Sequence, residues 1–217
     1  MWSAHDGGIS VTDNLTATTV GWQDLNEGYV TTQFYTAAIS SEIGDNRVMG
    51  GTQDNGTPFF RFDSENSQST TSDDISFGDG SYAYFTSSHL FVSRQNGSIL
   101  RYQKSDGGDP TTPFAYVDPI DVEEQLFVHP YIVDPNDESI MYYPGASTEG
   151  GTWNIWRNTQ VDKITNSSNA DGSSQGWVEL DDLGVPSGYE ISALTVSRSP
   201  ANILFYAGSS QNQQPVL

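Results

Sequence analysis

Val48-Met49-Gly50-Gly51-Thr52-Gln53-Asp54-Asn55-Gly56-Thr57-Pro58-Phe59-Phe60 reads as strand, turn, strand. Two short apolar runs flank Asn55-Gly56. That dipeptide strongly favours a two-residue hairpin, because both central positions of the turn need positive φ. The figure recurs down the chain. Phe91-Val92-Ser93 leads through Asn96-Gly97 to Ile99-Leu100-Arg101, and Met141-Tyr142-Tyr143 leads through Gly150-Gly151 to Asn154-Ile155-Trp156-Arg157.

Around these hairpins a four-strand unit repeats. First strands are expected at 36–39, 82–85, 131–133 and 192–196, and their anchors Ile39, Phe85, Val133 and Val196 stand 46, 48 and 63 residues apart. Second strands are expected at 47–49, 90–92, 140–142 and 203–206. Third strands are expected at 58–61, 98–101 and 154–157, with 7–11 as another, and fourth strands at 21–25 and 176–180. No apolar set recurs at helical spacing, so the fold is expected to be all-β, with no α-helix beyond about two turns.

Four-stranded antiparallel units every ~45–50 residues have the period of a β-propeller blade. The expectation is a β-propeller, or an open propeller segment of about four blade equivalents. Its parts are a partial blade at 1–27, blades at 28–77, 78–121 and 122–187, and a partial blade at 188–217. The insertion 159–175 is expected to be a mobile surface loop between strands three and four of its blade, and neither it nor the polar stretch 63–74 reads as a domain linker. An open arc exposes strand edges, so self-association through them is expected.

Acidic residues number 28 against 8 basic ones, for a net charge of −20. Such a surface repels nucleic acid and anionic membrane, which bind through Lys and Arg. No cysteine is present, which removes disulfides and thiolate metal sites. His5, His89 and His129 lack paired metal spacing, so no metal ligands are assigned and no cofactor is expected. Ca2+ held by Asp and backbone carbonyls is the one metal left open. No stretch approaches the ~20 apolar residues of a membrane helix, so no membrane insertion is expected. The N-terminus has no basic region followed by an apolar run. The chain therefore reads as a mature segment or a piece of a longer protein, and its acidic surface suits an extracellular or cell-surface setting.

Gly50-Gly51-Thr52-Gln53-Asp54-Asn55-Gly56-Thr57, then Gly78-Asp79-Gly80-Ser81-Tyr82, then Asp134-Pro135-Asn136, resemble the sortilin/Vps10-like and xyloglucanase-like BNR (Asp-box) propellers of large secreted bacterial proteins. The resemblance covers most of the chain. It implies the propeller, and a group that mixes glycosidases, receptors and adhesin-like proteins. The family's Asp-box survives only in worn form: Ser105-Asp106-Gly107-Gly108 lacks its aromatic residue. In the family that box lies on the turn between strands three and four.

If each blade zigzags outward, the loop before strand one and the loop between strands two and three share one face. That face receives Glu27-Gly28-Tyr29, Gln53-Asp54-Asn55, Gly78-Asp79-Gly80, Arg94-Gln95-Asn96, Glu123-Glu124-Gln125, Ser147-Thr148-Glu149 and Tyr189-Glu190. It is acidic, carries amides and has aromatic neighbours, the make-up of a rim that binds sugar or a cation. Gln53, Asn55, Tyr82, Glu149 and Trp153 are the expected ligand contacts.

Asp54 and Asp79 are the expected catalytic pair if the chain is a glycosidase, which needs two carboxylates flanking the bond. Against this, Asp and Asn beside Gly are also what tight turns require. Arg61, Arg101 and Arg157 occupy equivalent strand ends and are expected at the surface, spread around the array and not converging as a sialidase would need. Trp22 and Trp177 repeat in position and are expected in the core. Of Trp153 and Trp156, one is expected buried and the other exposed. The leading function is binding of a polysaccharide or protein partner. A xyloglucanase-like glycoside hydrolase is the alternative, and a purely architectural repeat the third reading.

Overall fold

The computed structural model describes residues 1–5, 8–28, 32–62, 72–165 and 172–210. The chain is all-β. Its helical content among the described residues is two 3₁₀ turns, Gln95–Gly97 and Val161–Lys163. No helix among these residues is long and apolar enough to cross a membrane. Two compact units are present, Met1–Gln33 and Phe34–Leu217.

The first unit is a three-stranded antiparallel sheet of β1 (Trp2–His5), β2 (Gly8–Val11) and β3 (Gln23–Asp24). The sequence reading had β2 and β3 but not β1. Across the sheet, Ser10 Oγ donates to Asp24 Oδ1 at 2.8 Å, and Asn26 Oδ1 accepts the Ile9 amide at 2.9 Å. Trp22 lies just before β3 and is 45% exposed, so it does not join a core.

The second unit is a series of antiparallel meanders. The first comprises β4 (Ala38–Ile39), β5 (Arg47–Met49), β6 (Pro58–Arg61) and β7 (Ser72–Asp74). The next comprises β8 (Gly80–Phe85), β9 (His89–Arg94), β10 (Ile99–Lys104) and β11 (Pro110–Tyr116). The third comprises β12 (Ile132–Val133), β13 (Met141–Gly145), β14 (Asn154–Asn158) and β15 (Trp177–Gly184). A two-stranded sheet follows, β16 (Glu190–Val196) with β17 (Leu204–Ser209).

Alternation along the strands explains how these sheets pack. Side chains of a strand point to opposite faces with period two. In the second meander, Leu90, Val92, Leu100 and Tyr102 join Met49 and Phe59 of the first. The intervening Phe91 and Ile99 join Tyr131, Met141, Tyr143, Trp156 and Trp177 of the third. The third meander then turns Trp153, Ile155 and Val185 toward Ile191 of β16. A sheet covered on both faces reads as a continuous apolar run, and Leu90-Phe91-Val92 does so. This corrects the expectation for the tryptophan pair. Trp153 and Trp156 do point to opposite faces, but both faces are covered and both side chains are buried.

Residues at the ends of β8, β12 and β16 line one cavity of about 280 Å3, with Ser41 after β4. The first strands of the four sheets of this unit therefore converge. Two further expectations need correction. Arg101 is buried, its guanidinium donating to the carbonyls of Val161 at 2.6 Å and Ile164 at 2.9 Å. Those carbonyls belong to the 159–175 insertion, whose Val161 and Ile164 are core residues, so its described first part is anchored and not merely a surface loop. Residues 63–71 and 166–171 of the two polar stretches lie outside the described residues.

Candidate functional site

The opening stretch does form a hairpin, but not around a two-residue Asn-Gly turn. Thr52 donates from its amide and its Oγ1 to Gly56 O, both at 2.9 Å, enclosing Gln53-Asp54-Asn55 as a three-residue loop. Positive φ falls on Asp54 (61°) and Gly56 (60°). Asp tolerates that backbone, and Gly adopts it without strain. Gly51 and Gly80 let this loop lie against the start of β8: a Cβ on Gly51 would collide with the Ser81 carbonyl, and one on Gly80 with the Gly56 carbonyl. The backbones then bond directly, Gly80 N to Thr52 O at 2.9 Å and Gly56 N to Gly78 O at 2.7 Å.

This contact delivers Asp79 to the loop. Its Oδ1 accepts the Asp54 amide at 3.3 Å and the Tyr35 hydroxyl at 3.3 Å. Partial loss of water, then the Asp79 charge, holds the Tyr35 hydroxyl above its ordinary pKa. The Asp79 amide in turn donates to Gln95 Oε1 at 3.1 Å. Asp54 and Asp79 thus share one end of the sheets, but Asp79 supports the turn that carries Asp54. Gln53 and Asn55 are exposed on that turn, with Asn55 Nδ2 bonded back to Gln53 O at 3.1 Å. Tyr82 sits apart, half-buried, its ring edge-on to Tyr131 at 6.4 Å.

A cleft of about 640 Å3 opens farther along the same loop end. It is lined by Asn96, Glu123, Glu124, Gln125, Glu149, Trp153 and Glu190. The sequence reading had assigned all these loops to one face, yet named only Glu149 and Trp153 as contacts. Glu124 builds the wall: its carboxylate accepts the Gly150 amide at 2.5 Å and the Trp153 indole N–H at 3.3 Å. Trp153 is 3% exposed, so it braces the wall and offers no open ring face.

Glu123, Glu149 and Glu190 are exposed, and their carboxylates have no hydrogen bond or ion pair among the described residues. Behind the wall, burial pushes the His129 imidazole down to about 3, so it is neutral. Its Nδ1 accepts the Leu126 amide at 3.1 Å. Tyr29, also expected on this face, lies outside the described residues.

The three arginines have different surroundings. Arg61 is held by Asp73 and Asp109, each at 2.6 Å, Arg101 by the two core carbonyls, and Arg157 lies beside Tyr142. At the worn Asp-box, Ser105 Oγ rather than Asp106 accepts the closing amide, that of Asp109, at 3.1 Å. No group of three or more His, Asp or Glu that could hold a metal ion occurs among the described residues. No family model, curated protein or solved structure matches the chain.

Proposed function

We propose that the chain is an open arc of β-propeller blades, of the sortilin-like and xyloglucanase-like kind, that acts outside the cell as a binding module. Its acidic loop end takes a ligand bearing cationic groups. The serial meanders, the face-to-face packing of each sheet on the next and the convergence of the four first strands support the propeller reading.

The observation that carries the function is the cleft with three uncompensated carboxylates, Glu123, Glu149 and Glu190. Like charges gathered without a counter-charge raise the free energy of the empty site, and a cationic ligand relieves that repulsion. Binding is favoured over hydrolysis because Asp79, one half of the suggested catalytic pair, is occupied in holding a turn.

Lys- or Arg-rich segments of a protein partner and amine-bearing polysaccharides share this chemistry. Arrays of basic peptides and of glycans, probed with the purified chain, separate the two sources. Retention of a cationic class, lost in Glu123→Gln/Glu149→Gln/Glu190→Gln, supports the proposal. Retention of neutral β-glucans with their cleavage favours the hydrolase, and no retention at all favours the architectural repeat. The first meander's outer face carries Ile39, 74% exposed, and Phe62, 40% exposed, and a second copy is the expected cover.

A further inference from the structure

We propose a second ligand site, in the unit Met1–Gln33: a platform at Trp22 for a neutral oligosaccharide. It goes beyond the cationic ligand of the acidic cleft and uses none of its residues. The contrast with Trp177 is the starting point, because the two residues hold the same place in the sequence repeat. Trp177 is buried, its indole N–H donates to Val117 O at 2.9 Å, and its ring lies edge-on to Tyr143 at 6.1 Å. Trp22 is 45% exposed, and neither its ring nor its indole N–H has a partner among the described residues. A Cβ on the preceding Gly21 would meet nothing within 4 Å, so the backbone beside Trp22 is uncovered as well.

Trp22 does not stand alone. It lines a concave surface of about 360 Å3 with Asp13, Asn14 and Gln23. The side chains of Asp13 and Gln23 are exposed and have no partner among the described residues. Asn14 commits its Oδ1 to the amide of Thr16 at 3.0 Å and to its hydroxyl at 2.9 Å, which leaves its amide N–H groups to donate.

A flat apolar ring bordered by a carboxylate and two carboxamides presents two kinds of surface at once. A pyranose matches both: its axial C–H face lies on the indole, and its equatorial hydroxyls meet acceptors and donors at the rim. The pocket holds no cation, and Asp13 repels acidic sugars. Acidic sugars are thus excluded, and with one exposed carboxylate beside a bare indole the inferred sugar is neutral.

The test uses the full chain in affinity electrophoresis through gels containing neutral polysaccharides of the gluco-, xylo- and manno-series. The wild type is expected to be retarded by at least one. Trp22→Ala is expected to lose about tenfold in affinity, and Trp22→Phe, which keeps a smaller ring, less. The circular dichroism spectrum and melting temperature should stay close to those of the wild type, since Trp22 belongs to none of the hydrophobic clusters. Retardation should persist in Glu123→Gln/Glu149→Gln/Glu190→Gln and in high salt, which separates this site from the cleft. Three results overturn the proposal: no neutral polysaccharide retards the chain, retardation survives Trp22→Ala, or both Trp22 variants unfold. Binding of proline-rich peptides in place of sugars, abolished by Trp22→Ala, would also overturn it by assigning the platform to a protein partner.

Discussion

The carboxylate of Asp79 accepts the backbone amide of Asp54 at 3.3 Å across two segments held together by glycine backbone. The two acids that the sequence pairs as catalysts are therefore related as support and turn. Removing the Asp79 carboxylate takes from the Asp54 amide and the Tyr35 hydroxyl the acceptor that ties the two segments together. Asp79→Ala should lower stability, and Asp79→Asn, which keeps an acceptor oxygen, should lower it less. Urea denaturation of both variants checks this. Equal stability in all three proteins would show that the contact does not support the turn.

Gly51 is fixed by the same contact. Gly51→Ala drives a methyl group into the Ser81 carbonyl, a collision with backbone that no rotamer relieves. The expected loss is about 3 kcal/mol. Gly21→Ala, with open space at its Cβ, should be nearly neutral, and thermal melts of the pair test the difference.

Asp118 sets a pH dependence. Burial raises its carboxyl from 3.8 to about 6, against the opposing effect of the Ile99 amide it accepts at 2.8 Å. The folded state thus binds this proton more tightly than the unfolded chain. The favourable contribution is complete below pH 3.8 and is lost as pH rises toward and through 6. Asp118→Asn removes the charge and keeps an acceptor. It should be more stable than wild type at pH 7.5, by up to about 3 kcal/mol, and similar at pH 4. A variant less stable at both pH values would contradict this.

Self-association has its own readout. Ile39, Val48, Phe60 and Phe62 share the face of the first meander that its core partners leave uncovered. Light scattering should give a mass above 23.7 kDa at micromolar concentration, falling to 23.7 kDa in Ile39→Asp/Phe62→Ser. A wild-type monomer refutes it.

Much of the fold was legible in the sequence where apolar residues alternate or run together. The strand expected at 58–61 is β6 residue for residue, and the one at 154–157 differs from β14 by one position. Edge strands were not legible. Ser72–Asp74 is polar and exposed throughout, so nothing in it distinguishes a ladder from a loop. Pro110–Tyr116 opens on a proline, which only a strand edge or end tolerates. Arg101 reads as a surface charge because its reach to two core carbonyls depends on a segment sixty residues later. The site was half legible. Loop topology placed Glu123, Glu124 and Glu190 on the acidic face, but which carboxylate braces the wall and which stay free depends on contacts across that face.

The cleft is the central claim, and isothermal titration of a lysine-rich peptide tests it most directly, run at low and at high salt. The account predicts measurable binding to the wild type that weakens as salt screens the carboxylates, and a loss in Glu123→Gln/Glu149→Gln/Glu190→Gln with the fold intact. Binding that the triple variant retains, or that is indifferent to salt, would contradict it.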